Sequence, residues 1–115
     1  MAEPVFYPKF SDEEVRSRWQ KIRDAMDAAQ FDGLLVYGAY GPESQANLRY
    51  LTNYTDQMQA YCVFPKQGPP TLLTSLFPHL DTGREVAVVK DMRAAGASMG
   101  EKVVEVLCEK ELERA

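Results

Sequence analysis

The sequence predicts an α/β domain in three layers, helix on sheet on helix. Its sheet is mixed, with four to five strands and a β-hairpin between the second and third. Apolar residues first recur at helical spacing and then gather into short runs of strand length. The stretch from Phe31 to Tyr54 reads as strand, loop and helix in that order, a βα unit of the kind that layered α/β domains are built from. Between two later apolar runs stands Lys66-Gln67-Gly68-Pro69-Pro70, a turn too short for a parallel crossover, so the strands it joins pair antiparallel.

Residues 1–10 read as an extended lead-in, because Pro4 and Pro8 oppose helix, and residues 11–115 as the domain. Ser11-Asp12-Glu13-Glu14 has the form of a capping box: the Ser11 hydroxyl accepts from the Glu14 N–H while the Glu14 carboxylate reaches back. Phe10 and Val15 stand at the positions of a hydrophobic staple. Val15, Trp19, Ile22, Met26 and Ala29 then form one apolar stripe on a helix ending near Gln30. Leu34-Leu35-Val36-Tyr37 follows as a strand buried on both faces, and a loop over Gly38–Ser44 leads to a helical phrase around Asn47–Thr52.

Ala60–Phe64 and Thr71–Thr74 are the hairpin strands. Pro78 opens a short helix over 79–85, and Val86–Val89 reads as a fourth strand, with Arg93–Ala97 as loop. Ser98-Met99-Gly100-Glu101 repeats the capping-box pattern and starts a last helix, with Val103, Val104, Leu107 and Leu112 as its buried stripe.

At 115 residues the chain has room for one core without covalent staples. A net charge of -4, with basic residues interleaved among acids, argues against nucleic acid as a partner. No apolar run approaches the ~20 residues that span a membrane, and the first residues lack the basic-then-apolar order of a signal peptide. The expectation is a cytoplasmic protein whose two cysteines, Cys62 and Cys108, are buried free thiols.

No complete reaction centre can be read along the chain. Ser75, His79 and Asp81 lie near one another in sequence, but a triad is defined by geometry and not by proximity, and His79 reads as a partly exposed residue at a helix start. Two side chains at His79 and Asp81 fall short of the three protein ligands that a catalytic zinc needs. The loop Gly38-Ala39-Tyr40-Gly41 follows a strand as a phosphate loop would, yet it lacks both glycine-rich signatures and carries Glu43. Tyr54–Gln59 combines hydrogen-bonding and apolar side chains between a helix end and a strand start, the position where ligands meet α/β sheets. An ordinary surface loop is the alternative reading.

Several phrases together resemble a known family. Arg18-Trp19-x-x-Ile22-x-x-x-Met26 leads into Phe31-Asp32-Gly33-Leu34-Leu35-Val36; then come Asn47-Leu48-Arg49-Tyr50-Leu51-Thr52 and Leu72-Leu73-Thr74. From Ser11 onward the chain resembles the N-terminal domain of the creatinase, prolidase and aminopeptidase P family. It departs at Asn53, where the family usually has glycine, though asparagine also tolerates the left-handed region.

The resemblance implies a sheet of the ribonuclease H-like motif type in a domain that is not itself catalytic. In such proteins a C-terminal pita-bread domain carries two divalent metal ions (Mn, Zn or Co) held by Asp, Asp, His, Glu and Glu. None of those motifs lies in these residues, so the resemblance gives this chain no metal and no catalytic residue. It implies a homo-oligomer, a dimer, with the chain's own C-terminal catalytic domain as a further partner, the sequence here being the front of a longer protein. The N-terminal domain would then assemble subunits and gate a partner's active site, with Tyr54, Asp56, Gln57 and Gln59 as the facing loop and Arg49 as a carboxylate holder. A stand-alone binding module without a catalytic domain is the competing expectation.

Overall fold

The computed structural model describes residues 10–39, 42–54, 59–75 and 78–112. The extended lead-in expected over residues 1–10 therefore lies almost wholly outside the described residues. The elements run α1 (Asp12–Ala29), β1 (Gly33–Gly38), α2 (Pro42–Thr52), β2 (Ala60–Pro65), β3 (Thr71–Thr74), α3 (Pro78–Val86), β4 (Asp91–Ala94) and α4 (Met99–Glu109).

The four strands lie in the order β1-β2-β3-β4. β2 is antiparallel to β1 and β3, and β4 is parallel to β3, so the sheet is mixed as the sequence predicts. Alternate residues of the central strands feed two separate cores. Ala60, Cys62, Phe64 and Leu72 meet Met26, Leu48 and Leu51 on the face covered by α1 and α2, where α3 also packs. Val63 and Leu73 meet Met99, Val103 and Val106 of α4 on the other. Helix, sheet and helix thus form the expected three layers.

α1 starts as its capping sequence dictates, with the Glu14 N–H donating to Ser11 Oγ at 3.1 Å. The Glu14 carboxylate accepts from Arg18 Nε at 2.8 Å. The helix closes at Gln30, left-handed at φ 61°, whose N–H donates to Asp27 O. Val15 and Met26 are buried and Trp19 half-buried, its ring edge-on to Phe64 at 5.6 Å between centroids, but Ala29 is exposed. Arg23 crosses the same aromatic pair and donates to Pro65 O (3.2 Å) and Gly68 O (2.6 Å), tying α1 to the hairpin turn. Gly68 sits at φ +95°, the conformation that this turn demands of a glycine.

Several expectations are corrected. Val86–Val89 is not a strand: Val86 ends α3, the Ala87 N–H donates to Gly83 O (2.7 Å), and the Val88 N–H donates to Thr52 O (2.8 Å). Those backbone groups are engaged by helix ends, while Ala87 and Val89 plug the core. The fourth strand is Asp91–Ala94, whose last two residues, Arg93 and Ala94, fall in the stretch expected as loop. Its polar residues are matched on the α4 face: Thr71 Oγ1 donates to Asp91 Oδ2 at 2.7 Å, and Arg93 bridges Asp91 (3.1 Å) and Glu109 (2.9 Å).

β1 is an edge strand and not buried on both faces, since Leu35 and Tyr37 are 41% and 46% exposed where α4 stops short of it. α2 begins at Pro42, earlier than the sequence predicts, with the ring's fixed φ suited to a first helical turn. α4 buries Met99, Val103 and Val106 and turns Val104 outward, and the Ser98 side chain makes no capping hydrogen bond. Cys62 is buried but Cys108 is exposed, both as free thiols.

Burial alone would raise the Asp91 carboxyl, but hydrogen bonds from Arg93 and Thr71 outweigh it and hold it below the usual carboxylate range. A carboxyl depressed in the folded state contributes stability above its unfolded pKa of about 3.9 and loses it as pH falls through the folded value. Asp91→Asn should therefore cost about 1 kcal/mol in urea unfolding at pH 7, kept small by solvent screening. The gap from the unsubstituted chain should narrow as the pH is taken down through the acid range. A gap independent of pH would show that the network adds no charge-dependent stability.

Candidate functional site

One end of the sheet gathers the carboxyl ends of β1, β3 and β4 around the start of β2, in the row Gly38, Ala60, Thr74, Ala94. Open α/β sheets meet their ligands at this end, and Tyr54–Gln59 enters β2 there. Both sides of the connection are tied down. Ser75 Oγ donates to the backbone O of Gln59 at 2.6 Å. The Tyr54 N–H donates to Thr52 Oγ1 at 3.0 Å, and Thr52 Oγ1 donates in turn to Leu48 O at 2.7 Å.

Asn53 takes the left-handed conformation, at φ 59°, that ends α2. Its Nδ2 donates to Val86 O at 2.8 Å, fastening the end of α2 to the end of α3. The departure from glycine at this position is thus accommodated as the chemistry of asparagine allows.

The sequence-picked residues divide. Tyr54 is 3% exposed, with its ring so close to α3 that a Cβ on Gly83 would lie 2.9 Å from Tyr54 Cε1. It anchors the connection and does not offer an aromatic face to a ligand. Gln59 is exposed at the base of β2, and Arg49 is exposed on the last turn of α2. Asp56 and Gln57 lie outside the described residues. The structure therefore brings Tyr54 and Gln59 to the two ends of one connection, with Arg49 on the adjoining helix.

Two clefts escaped the sequence reading. One of about 400 Å³ is lined by Phe10, Asp12, Arg84 and residues 87–90, on the approach to the amino end of β4, where the Val88 N–H donates to Thr52 O. The other, about 310 Å³, lies between β1 and the helices α1 and α2, lined by Ile22, Leu34, Val36, Asn47 and Tyr50 among others. Beside it Arg18 sits 3.6 Å from the Phe10 ring centroid and 4.6 Å from that of Tyr50, and donates to Tyr50 O at 3.1 Å. Neither cleft announces itself as a motif, because each brings together short segments far apart in the chain.

The chemistry on offer is limited. Burial pushes the Cys62 thiol up to about 12, so it is not a nucleophile at neutral pH. Among the described residues no group of three or more His, Cys, Asp or Glu is placed to hold a metal ion. None of their helices is long and apolar enough to cross a membrane.

Fold and site together define an α/β domain in which a connection, fastened at its start to the ends of α2 and α3, enters the sheet through Gln59 at the carboxyl rim. The chain belongs to the creatinase/prolidase N-terminal domain family, whose model matches residues 18–114. Among solved structures it is similar to the creatinase/prolidase-like N-terminal domain of a candidate metallopeptidase from Corynebacterium diphtheriae. That match has 18% identity and a TM-score of 0.52, covering 74% of this chain and 60% of that one. It is also similar to the dipeptidase PepE from Mycobacterium ulcerans, at 22% identity and a TM-score of 0.52, covering 75% of this chain and 24% of that one. At these identities the likeness is one of fold, and this chain spans less than two thirds of the first protein and about a quarter of the second. No curated protein matches the sequence.

The division among the site residues has a measurable consequence. Tyr54→Ala should cost about 3 kcal/mol in chemical denaturation, as expected for emptying a core aromatic site. Arg49→Ala and Gln59→Ala should each stay within about 0.5 kcal/mol, as exposed positions do. A tolerated Tyr54→Ala would return that ring to the surface.

Proposed function

We propose that this chain is the non-catalytic N-terminal domain of a creatinase- or Xaa-Pro-peptidase-like, metal-dependent hydrolase, contributing to subunit assembly and to gating a partner subunit's active site. The observation that carries this reading is the family match over residues 18–114. The two structural relatives, one the N-terminal domain of a candidate metallopeptidase and the other a dipeptidase, support a hydrolase parent. The Tyr54–Gln59 connection supports the gating role, since Tyr54 and Gln59 at its two ends are held by Thr52 and Ser75.

In this reading Arg49, Asp56, Gln57 and Gln59 supply polar contacts to a substrate held by the neighbouring subunit, and Tyr54 keeps the connection in place. Arg49 offers a planar, permanently charged fork suited to a peptide carboxylate. Metal ions and the reaction itself belong to a catalytic domain, where two divalent ions would sit.

In a protein carrying both domains, replacing Asp56 and Gln57 together by Ala should lower kcat/KM on an Xaa-Pro dipeptide about tenfold, equivalent to about 1.4 kcal/mol of transition-state binding. The chain alone, supplied with manganese, should show no hydrolysis above background. Unchanged kcat/KM together with unchanged subunit number would remove this connection from the mechanism. Turnover by the chain alone would remove the non-catalytic assignment.

A further inference from the structure

The two edges of the sheet are built differently. β4 is four residues long and carries Asp91 and Arg93, ion-paired with each other and with Glu109. Short length and charge are the usual defences of an edge strand against pairing with another chain. β1 has neither. It runs for six residues, GLLVYG, without a charge or a proline, and pairs with β2 in unbroken register from Gly33↔Pro65 to Gly38↔Ala60. Among the described residues its other side has no strand partner.

Apolar surface flanks this open edge on both faces. On the α4 face Leu35 and Tyr37 are exposed, with the Tyr37 ring 4.9 Å from that of Tyr61. On the opposite face the cleft of about 310 Å³ runs beside Leu34 and Val36 beneath Tyr50, itself 40% exposed.

We propose that β1 is a self-association edge, on which a second copy of this chain adds its own β1 antiparallel about a twofold axis to make one eight-stranded sheet. This deepens the assembly half of the proposed function and rests on it. The occupant is a second copy because of charge. A twofold axis sets residues at the centre of the strand close to their own equivalents, so a charge there would face its like. The molecule carries -4 overall, yet from Gly33 to Gly38 there is nothing to repel.

The pleat restricts the register. Residues directly opposite must point to the same face, which allows a residue to oppose itself but not its chain neighbour. With Leu35 on the axis, Leu34 stands opposite the partner's Val36, and Tyr37 opposite the partner's Gly33. Gly33 is covered by Leu112, whose Cδ1 would lie 2.7 Å from a Cβ there, so the incoming Tyr37 ring meets the Leu112 side chain.

Buried area sets the strength. A strand of this length spans ~20 Å, and the partly exposed Leu35, Tyr37 and Tyr50 add roughly 60–110 Å² per ring to the contact. That falls below the ~800 Å² per partner of a standard stable interface, so the dimer is reversible, with a Kd of order micromolar.

Sedimentation equilibrium on the full chain tests this between ~1 and ~200 μM, a span chosen to bracket a micromolar Kd. The mass should rise from 13.0 kDa towards twice that value. Leu35→Lys and Leu35→Glu, each at an exposed position and checked for folding by circular dichroism, should weaken association by about 100-fold or more through like-charge opposition. An equimolar mixture of these two variants should associate again, since the axis places lysine against glutamate. Val104→Lys, exposed on α4, should leave the dimer as it is.

A chain that stays at monomer mass at the highest concentration overturns the proposal. So does a dimer that Leu35→Lys leaves intact, which would keep an assembly role but move it off β1. Failure of the mixture to associate overturns the twofold pairing and points to a different partner for the edge. Hydrolysis by a protein carrying both domains is a separate readout, so loss of the β1 dimer and loss of the gating role are distinguishable.

Discussion

β2 must satisfy two cores at once, and the rest of the structure is arranged around that constraint. Ala60, Cys62 and Phe64 face the α1/α2 layer while Val63 faces α4. Phe64 and its neighbours are fully buried, so every backbone group of the strand has to be paired by a neighbour. β1 and β3 supply that pairing on either side. Where the strand ends, at Pro65, the carbonyl is taken by Arg23. Burial lowers the Arg23 pKa, yet its guanidinium keeps the aromatic rings of Trp19 and Phe64 beside it, so desolvation is offset by ring faces and carbonyls.

From β2 outward the layers lose cover unevenly. α4 is packed over β2 and β3, and α1 and α2 over the opposite face. The consequence is an asymmetry: β4 is closed off by ion pairs at its surface, while β1 leaves aromatic and aliphatic side chains exposed. Among the described residues the β1 edge is open and uncharged, the kind of edge that can template another strand.

Much of this was legible in the residues themselves. α1, β1, the hairpin and the left-handed end of α2 at Asn53 all follow from local chemistry: capping at Ser11, a short apolar run, a turn with Gly68, and an asparagine that tolerates positive φ. The misplacements share one cause, since periodicity reports that a face is apolar but not what will cover it. Val86–Val89 has strand composition, yet its N–H groups are needed at helix ends and its side chains in the core. Asp91 and Arg93 hid a strand because their charges are matched by Thr71 and Glu109, residues distant in sequence. Val104 and Val106 are equally apolar, and only the position of α4 over Val63 and Leu73 decides which is buried. Tyr54 looked like a ligand-facing aromatic for the same reason: its neighbour Gly83 leaves room for the ring, and no local pattern shows that.

The burial of Tyr54 bears on how firmly the connection into β2 is held. A connection that reaches towards another subunit gains precision only if its ends do not move, because loosely held contacts lose most of their orienting value. Here one end is fixed through Thr52, Asn53 and Tyr54, which join α2 to α3, and the other through the Ser75–Gln59 hydrogen bond beside β3. The fastening groups are buried or half-buried, whereas Arg49 and Gln59 remain exposed. The side chains that hold the connection and those left exposed are thus different ones within a few residues of each other, so substitutions at the exposed positions can change the surface without loosening the base.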